Sequence, residues 1–186
     1  MKYQAFTSFT AQGANVQTLM SMYATLDDAP DTAVRVIPIV VFMAFSIESY
    51  LNSIGARCIP FWDEIERLPW KNKVNILHKS AGLAADWGAQ HLQFASSVFK
   101  LRDKLAHGKP ERVVSDSFDS AEEALRLMAP DALRPVWYSQ LNKAWAYNAK
   151  TEFTDLMQYL GKMHGLHESD HLLSASSGVI QDDEIV

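Results

Sequence analysis

The sequence predicts an all-α protein, folded as an up-and-down bundle of four to five helices. Apolar residues recur at helical spacing along several long segments, whereas the alternating patterns typical of strands are nearly absent. Short turns that contain Gly, Pro or Asp separate these segments. Amphipathic helices joined by short turns bury their apolar faces against one another, and this is the physical basis of the bundle.

The first two helices have clear sequence support. Apolar residues from Val16 to Leu26 follow the i, i+3, i+4, i+7 and i+10 spacing of one helix face. The second helix follows Asp31, a residue type that caps helices, and we expect it to end at Gly55. Pro38 falls within its first two turns, where a proline disturbs a helix least.

The remaining helices are predicted by the same signals. Pro69 suits the first turn of a third helix, and Gly108 follows the last turn of a fourth. A fifth helix carries large apolar residues from Trp145 to Leu160. The five predicted helices cover residues 15–27, 32–54, 69–79, 88–107 and 139–162.

The chain is predicted to form one domain over residues 1–165. Residues 110–137 contain three prolines and one short helical stretch, 120–128, and we interpret them as a surface excursion. Residues 166–186 are polar and acidic, and we expect them to form a loose tail. Histidines in and next to this tail (His164, His167 and His171) are then expected to be solvated rather than to bind a metal.

Composition restricts the class of protein further. The chain has 186 residues, 48% of them hydrophobic, which is typical of a packed globular domain. Its single cysteine, Cys58, excludes an internal disulfide and a cluster of thiolate zinc ligands, and fits a reducing compartment. The apolar run 36–45 is about half of a membrane span, and the N-terminus has no apolar leader. These features predict a cytoplasmic protein without a membrane partner.

Charge is unevenly distributed along the chain. The formal net charge is −5, which argues against general binding of nucleic acid. Residues 71–112, however, carry eight Lys or Arg against three Asp or Glu. This local excess would attract an anionic ligand, although a solvated basic helix face would have the same composition.

The basic segment contains the most informative motif of the sequence, an arginine and a histidine at the end of the fourth predicted helix. Residues 101–109 read Leu-Arg-Asp-Lys-Leu-Ala-His-Gly-Lys. Arg102 is a permanent cation and His107 titrates near neutrality, a combination suited to phosphate chemistry. On one ideal helix the two would point about 140° apart, so this geometry favours a site made with a second copy of the helix, although a long arginine can also reach around. An ordinary helix end remains the alternative.

This motif resembles the Arg-x4-6-His signature of HEPN domains. Residues 44–52, Ala-Phe-Ser-Ile-Glu-Ser-Tyr-Leu-Asn, are similar to the acidic, Asn-ending segment that many such domains carry on an early helix. The resemblance extends over roughly residues 10–165 in helix order. It implies an all-α bundle of a kind that usually dimerises. Many such domains are metal-independent endoribonucleases, and many others act as toxins in toxin–antitoxin or phage-defence systems.

The resemblance implies a role for each matching residue. His107 would deprotonate the ribose 2′-hydroxyl or protonate the leaving 5′-oxygen, and Arg102 would neutralise the phosphorane. Since RNA supplies its own nucleophile, neither a metal nor a cofactor is required. Two residues depart from the family: Asp103 replaces a common Asn, which puts catalysis in doubt, and Lys109 replaces the Tyr that some toxins carry for modification.

Further residues are candidates for supporting roles. Glu48 and Asn52 lie one turn apart and would either orient the Arg–His pair or form a buried hydrogen-bonded pair. Asp103 is included among these supporting residues. Trp70 and Trp87 lie beside the basic segment and are candidates for base stacking. The candidate RNA contacts are Lys71, Lys73, Lys100, Lys104 and Lys109.

Three functions remain open from the sequence. The first is a homodimeric, HEPN-like endoribonuclease, with RNA as substrate and an antitoxin or other protein as a possible regulator. The second is a non-catalytic HEPN-like module that dimerises and binds a partner protein, which Asp103 and the acidic net charge favour. The third is a helical regulator that binds a small anion in the same cleft.

Overall fold

A computed structural model of the chain describes residues 2–127 and 133–181. The protein is mostly helical, as predicted, and it also contains a small two-stranded sheet. The long helices are α1 (Ala11–Ala24), α2 (Ala33–Cys58), α4 (Trp70–Ser80), α5 (Gln90–His107) and α8 (Lys143–Lys162). The shorter elements are strand β1 (Tyr3–Phe9), helices α3 (Trp62–Ile65), α6 (Ala121–Arg126) and α7 (Val136–Ser139), a 3-10 helix (Asp170–Leu172) and strand β2 (Ala175–Gln181).

Helix α2 is the centre of the fold. It packs against α1, α4, α5 and α8, and its buried residues include Val36, Met43 and Leu51. α2 is long and apolar enough to cross a membrane, with a mean hydropathy of 1.7 over its most apolar window, but 50% of that window is buried inside the fold. Its central position accounts for the buried half of this apolar window, whereas Val34 and Phe45 of α2 are exposed.

The C-terminus of α2 differs from the prediction. The helix continues past Gly55 by almost one turn, to Cys58. Gly55 is required for packing rather than for termination, because a Cβ there would lie 2.1 Å from the indole ring of Trp62. The side chain of Trp62 is buried against this glycine, which joins the short helix α3 to the core.

Asp31 caps a different helix from the one predicted. Its Oδ1 accepts a hydrogen bond of 2.8 Å from the backbone N–H of Lys143, the first residue of α8. The N-cap of α2 is Thr32, whose side chain forms no capping bond. Asn142 also caps α8, accepting from the N–H of Trp145 at 2.9 Å. Two side chains therefore satisfy N–H groups at the start of α8, which begins later than its sequence periodicity suggests.

The prediction of a loose tail is wrong for residues 166–181. β2 pairs with β1 in antiparallel register, with Phe6 opposite Gly178. Before this strand, the carboxylate of Asp170 accepts two hydrogen bonds from the guanidinium of Arg57, at 2.7 and 2.8 Å, and His171 is buried. The end of the chain is thus attached to α2 by a bidentate ion pair. The last tail residues, 182–186, lie outside the described part of the chain.

The surface excursion contains the short helix expected at residues 120–128. α6 begins after Ser120, whose side chain accepts from the N–H of Glu123, and every residue of α6 is exposed. Residues 128–132 of the excursion lie outside the described residues. Trp137, on α7, packs against the hydrophobic core, and its indole N–H donates to Glu111 at 3.1 Å.

Candidate nucleic-acid interface

Arg102 lies on α5 beside an aromatic ring and a carboxylate. Its guanidinium carbon is 5.3 Å from the centre of the Phe99 ring, and its side chain is 28% exposed. Asp103 Oδ1 approaches Arg102 Nε to 3.2 Å, yet this buried N–H has no acceptor in hydrogen-bonding geometry. Because this Nε is enclosed, an anion from solvent would contact only the exposed part of the Arg102 side chain.

His107 is the last residue of α5 and points away from Arg102. α5 stays helical up to this residue, so the angle of about 140° expected between the two side chains is maintained. The His107 side chain is exposed and forms no hydrogen bond or ion pair with a described residue. Within one chain, the two predicted catalytic residues are thus not brought together.

Glu48 contacts a buried lysine rather than Arg102 or His107. Its Oε1 lies 3.3 Å from Nζ of Lys73, whose side chain is only 2% exposed. Lys73 is consequently corrected from a candidate RNA contact to part of the core, because its ammonium group is not accessible to a phosphate. Asn52, one turn further along α2, does not pair with Glu48; its Oδ1 is buried and has no hydrogen-bond partner among the described residues.

An aromatic cluster connects α4 to α5 next to Arg102. The rings of Trp70 and Phe99 are stacked at 4.2 Å with an interplanar angle of 9°. Trp87 contacts Trp70 edge-on, with ring centres 5.6 Å apart. Since Phe99 also carries the guanidinium of Arg102 over its ring, this cluster holds α4, α5 and Arg102 in fixed relative positions.

Two predicted RNA contacts, Lys71 and Lys100, line one cleft on the α4–α5 side of the molecule. The cleft has a volume of about 340 Å³, and Trp87, Gln93, Ser96 and Ser97 complete its lining. Lys71 Nζ lies 5.2 Å from the centre of the Trp87 ring. Both lysines are exposed, and neither forms an ion pair with a described residue. We refer to this site as the α4–α5 cleft.

Lys104, a predicted RNA contact, already has an ion-pair partner within the chain. Its ammonium group forms an ion pair with Glu111 and lies 5.9 Å from the centre of the Trp137 ring. Glu111 belongs to the surface excursion, so this part of the chain neutralises one of the candidate RNA contacts. Lys109, just after α5, is exposed.

The polar residues of α5 form one continuous stripe. Gln93, Ser97, Lys100, Lys104 and His107 follow each other at alternating steps of four and three residues, the spacing that keeps side chains on one helix face. Lys100 and His107 are two turns apart, or about 10 Å along the helix axis. The α4–α5 cleft and His107 therefore share one face of α5.

Sequence reasoning missed a second polar cluster, around Tyr159 on α8. His78 Nδ1 lies 2.8 Å from the Val74 carbonyl and its Nε2 lies 2.7 Å from the Tyr159 hydroxyl. Because a carbonyl only accepts, Nδ1 carries the proton and the Tyr159 hydroxyl donates to Nε2. His91 stacks on Tyr159 at 4.9 Å, and burial raises the pKa of the Tyr159 hydroxyl. No sequence motif signals this cluster, since its members come from three helices.

Of the three histidines expected to be solvated, His167 is exposed, whereas His164 and His171 require correction. His171 is buried, and Nε2 of His164 is buried without a hydrogen-bond partner in the described part of the chain. Burial lowers the pKa of both imidazoles, which favours their neutral forms. Within residues 2–127 and 133–181, no three His, Cys, Asp or Glu side chains are grouped so that they would hold a metal ion.

Comparisons of the chain with protein-family descriptions, with curated proteins and with solved structures give no match.

Proposed function

We propose that this protein is a HEPN-like, metal-independent endoribonuclease that acts as a homodimer in the cytoplasm. In this proposal two copies of α5 face each other across a two-fold axis, and each reaction uses Arg102 and His107 from different subunits. A two-fold arrangement is the commonest way in which identical chains combine residues into a shared site. A toxin or defence role, with an antitoxin protein as regulator, belongs to the same proposal.

The observation that carries this proposal is that Arg102 and His107 have few hydrogen-bond partners among the described residues. Arg102 keeps a buried N–H without an acceptor, and His107 is free of partners among the described residues. The exposed imidazole of His107 and the partly exposed side chain of Arg102 are open to a ligand, whereas the guanidinium of Arg57 is taken up by Asp170. Their divergence within one chain supports a site that is completed by a second copy.

The proposed chemistry is an internal transesterification. The ribose 2′-oxygen attacks the adjacent phosphorus, and the bond from phosphorus to the 5′-oxygen of the next nucleotide breaks. The products are a 2′,3′-cyclic phosphate and a free 5′-hydroxyl. The 2′-hydroxyl loses a proton and the 5′-oxygen gains one; His107 accepts the first proton or donates the second, and water takes part in the other transfer. Arg102 neutralises the charge that accumulates on the phosphorane.

A second candidate function is a non-catalytic, HEPN-like module that binds a partner protein. Two observations favour it: Asp103 is 3.2 Å from Arg102, where its charge opposes phosphate binding, and Glu111 neutralises Lys104. A partner with acidic side chains would use the remaining cations without any chemistry.

RNA cleavage in EDTA by the purified protein tests the proposal. We expect activity in the wild type and its loss in Arg102→Ala and His107→Ala. Arg67→Ala and His167→Ala are matched controls, since both residues are exposed and lie outside α5. Mixing the two inactive variants should restore part of the activity, because a mixed dimer contains one intact Arg–His combination. Cleavage that is equal in all variants, or absent from the wild type, would refute the endoribonuclease and leave the binding module.

A further inference from the structure

The α4–α5 cleft has the composition of a binding site for a phosphate with an attached ring. Two lysines, two serines and a glutamine line it together with Trp87. Among its described lining residues none carries a carboxylate, although the chain as a whole is acidic. Its volume of about 340 Å³ lies within the range of small-ligand sites, about 300–1,000 Å³.

The cations of this cleft differ from the other candidate lysines. Lys73 is buried against Glu48, and Lys104 is paired with Glu111. Lys71 and Lys100 have no such partner in the described residues, and they come from two different helices that the Trp70–Phe99 stack holds together. Two uncompensated cations fixed at one cleft concentrate positive potential there, which favours an anion with at least one phosphate.

Trp87 adds a second kind of recognition. It lines the cleft, and its indole N–H donates to Asn75 at 3.1 Å, which fixes the orientation of the ring. An indole ring beside cations is the combination with which proteins bind unpaired bases, because every base has a π-face that stacks on an aromatic ring. Bases of a duplex are already stacked on each other and do not enter such a cleft.

We infer that the α4–α5 cleft binds one unpaired nucleotide of single-stranded RNA, with its phosphate between Lys71 and Lys100 and its base against Trp87. This inference rests on the proposed function and specifies its substrate class. The strand would leave the cleft along the polar stripe of α5 and reach His107 about 10 Å away, two helix turns further. The cleft is therefore a subsite that positions the strand, and the bond that breaks lies beyond it.

Binding of a non-cleavable RNA tests the inference separately from catalysis. The probe is a short, fluorescein-labelled, 2′-O-methyl single strand, which lacks the nucleophile, measured by fluorescence anisotropy. The test variant is Lys71→Gln with Lys100→Gln. The control is Lys79→Gln with Lys162→Gln, which removes the same charge from two exposed lysines that do not line the cleft.

We expect the test variant to bind the probe more weakly than the control and with a weaker salt dependence. The slope of log Kd against log salt should decrease by about 0.7, because the two lysines together neutralise one phosphate of a single strand. Trp87→Leu should weaken binding by roughly 5- to 150-fold, the equivalent of one lost base stack. The annealed duplex should bind more weakly than the single strand, and AMP should compete only at much higher concentration than the strand.

Each part of the inference has an outcome that overturns it. Equal affinities and slopes in the test and control variants would exclude the cleft as a phosphate site. Equal binding of duplex and single strand, or an unchanged Kd in folded Trp87→Leu, would exclude the unpaired base. Competition by AMP as strong as by the strand would identify a free nucleotide as the ligand instead of RNA. Loss of cleavage in His107→Ala with intact probe binding would leave the subsite standing, whereas probe binding by a wild type that cleaves nothing would refute only the proposed activity.

Discussion

The ion pair between the partly exposed Glu48 and the buried Lys73 allows a quantitative prediction for the variant Glu48→Gln. The Lys73 side chain is 2% exposed, and the Glu48 carboxylate, 3.3 Å away, is its ion-pair partner. Removing one partner of a fully buried pair costs about 3–5 kcal/mol, because the remaining charge stays buried without compensation. Since the Glu48 side chain is 37% exposed, screening by water reduces the expected cost to about 2–3 kcal/mol.

Thermal unfolding measures this cost. A loss of about 2–3 kcal/mol corresponds to a decrease in Tm of roughly 4–12 °C for a chain of this size. Glu64→Gln is the matched control, because Glu64 is exposed on α3 and should change stability by less than about 0.5 kcal/mol. The double variant Glu48→Gln/Lys73→Met should recover most of the loss, since an apolar side chain at the buried position leaves no charge to compensate.

Equal Tm values for Glu48→Gln and Glu64→Gln would refute this reasoning. RNA cleavage per folded molecule, with the folded fraction taken from the unfolding curve, separates the two roles that the sequence leaves open for Glu48. A structural residue lowers the folded fraction without changing cleavage per folded molecule, whereas a residue that orients the catalytic pair lowers cleavage by the folded protein. From the contact with Lys73 we expect the first result.

Three further predictions concern the framework around the site. Gly55→Ala should destabilise the protein by about 1–3 kcal/mol, measured by urea unfolding, because the added Cβ overlaps the Trp62 ring. An unchanged unfolding midpoint would contradict this expectation and show that α3 can shift to make room for the methyl group. The Arg57 guanidinium holds the pKa of Asp170 below its ordinary value, so their pair stabilises the fold above that ordinary pKa and the contribution is lost as the pH falls through the lowered pKa. Asp170→Asn should accordingly flatten the acid limb of a stability–pH curve, and a parallel curve would contradict it. Asp31→Ala should cost about 1 kcal/mol through loss of a cap on α8, measured by thermal unfolding against the exposed neighbour Asp28→Ala.

The long helices were predictable because the signals that define a helix, its apolar spacing and its end residues, lie within or next to the helix itself. α5 ends at His107, as the glycine that follows it indicates, and α8 ends at Lys162, as predicted. Errors occur where residues far apart in the chain determine the outcome. The sequence alone predicts a helix end at Gly55, whereas the structure shows that this glycine makes room for the Trp62 ring. It also predicts Asp31 as a cap for α2, whereas Asp31 caps α8.

The sheet and the site illustrate the same limit. β2, with its run of Ser and Gly, has weak strand signals and forms by pairing with residues about 170 positions earlier, a contact that no local pattern encodes. For the site, the sequence indicated a basic segment but could not distinguish its lysines. Tertiary contacts make that distinction. Lys73 is buried and paired with Glu48, and Lys104 is paired with Glu111. Lys71 and Lys100 remain exposed and line one cleft.

The two candidate functions place opposite demands on the polar stripe of α5. If RNA is the ligand, Lys100 and His107 must stay open to solvent in the dimer, and affinity must fall steeply with salt because phosphates release counterions. If the stripe instead forms a protein interface, the centre of that interface must exclude water. The ion pair with Glu111 then lowers the free-energy cost of burying the Lys104 ammonium group. Glu111→Gln separates the two: by freeing Lys104 it should tighten binding of single-stranded RNA and steepen its salt dependence by about 0.7. The same change should weaken a protein interface, because it leaves the Lys104 ammonium without its partner.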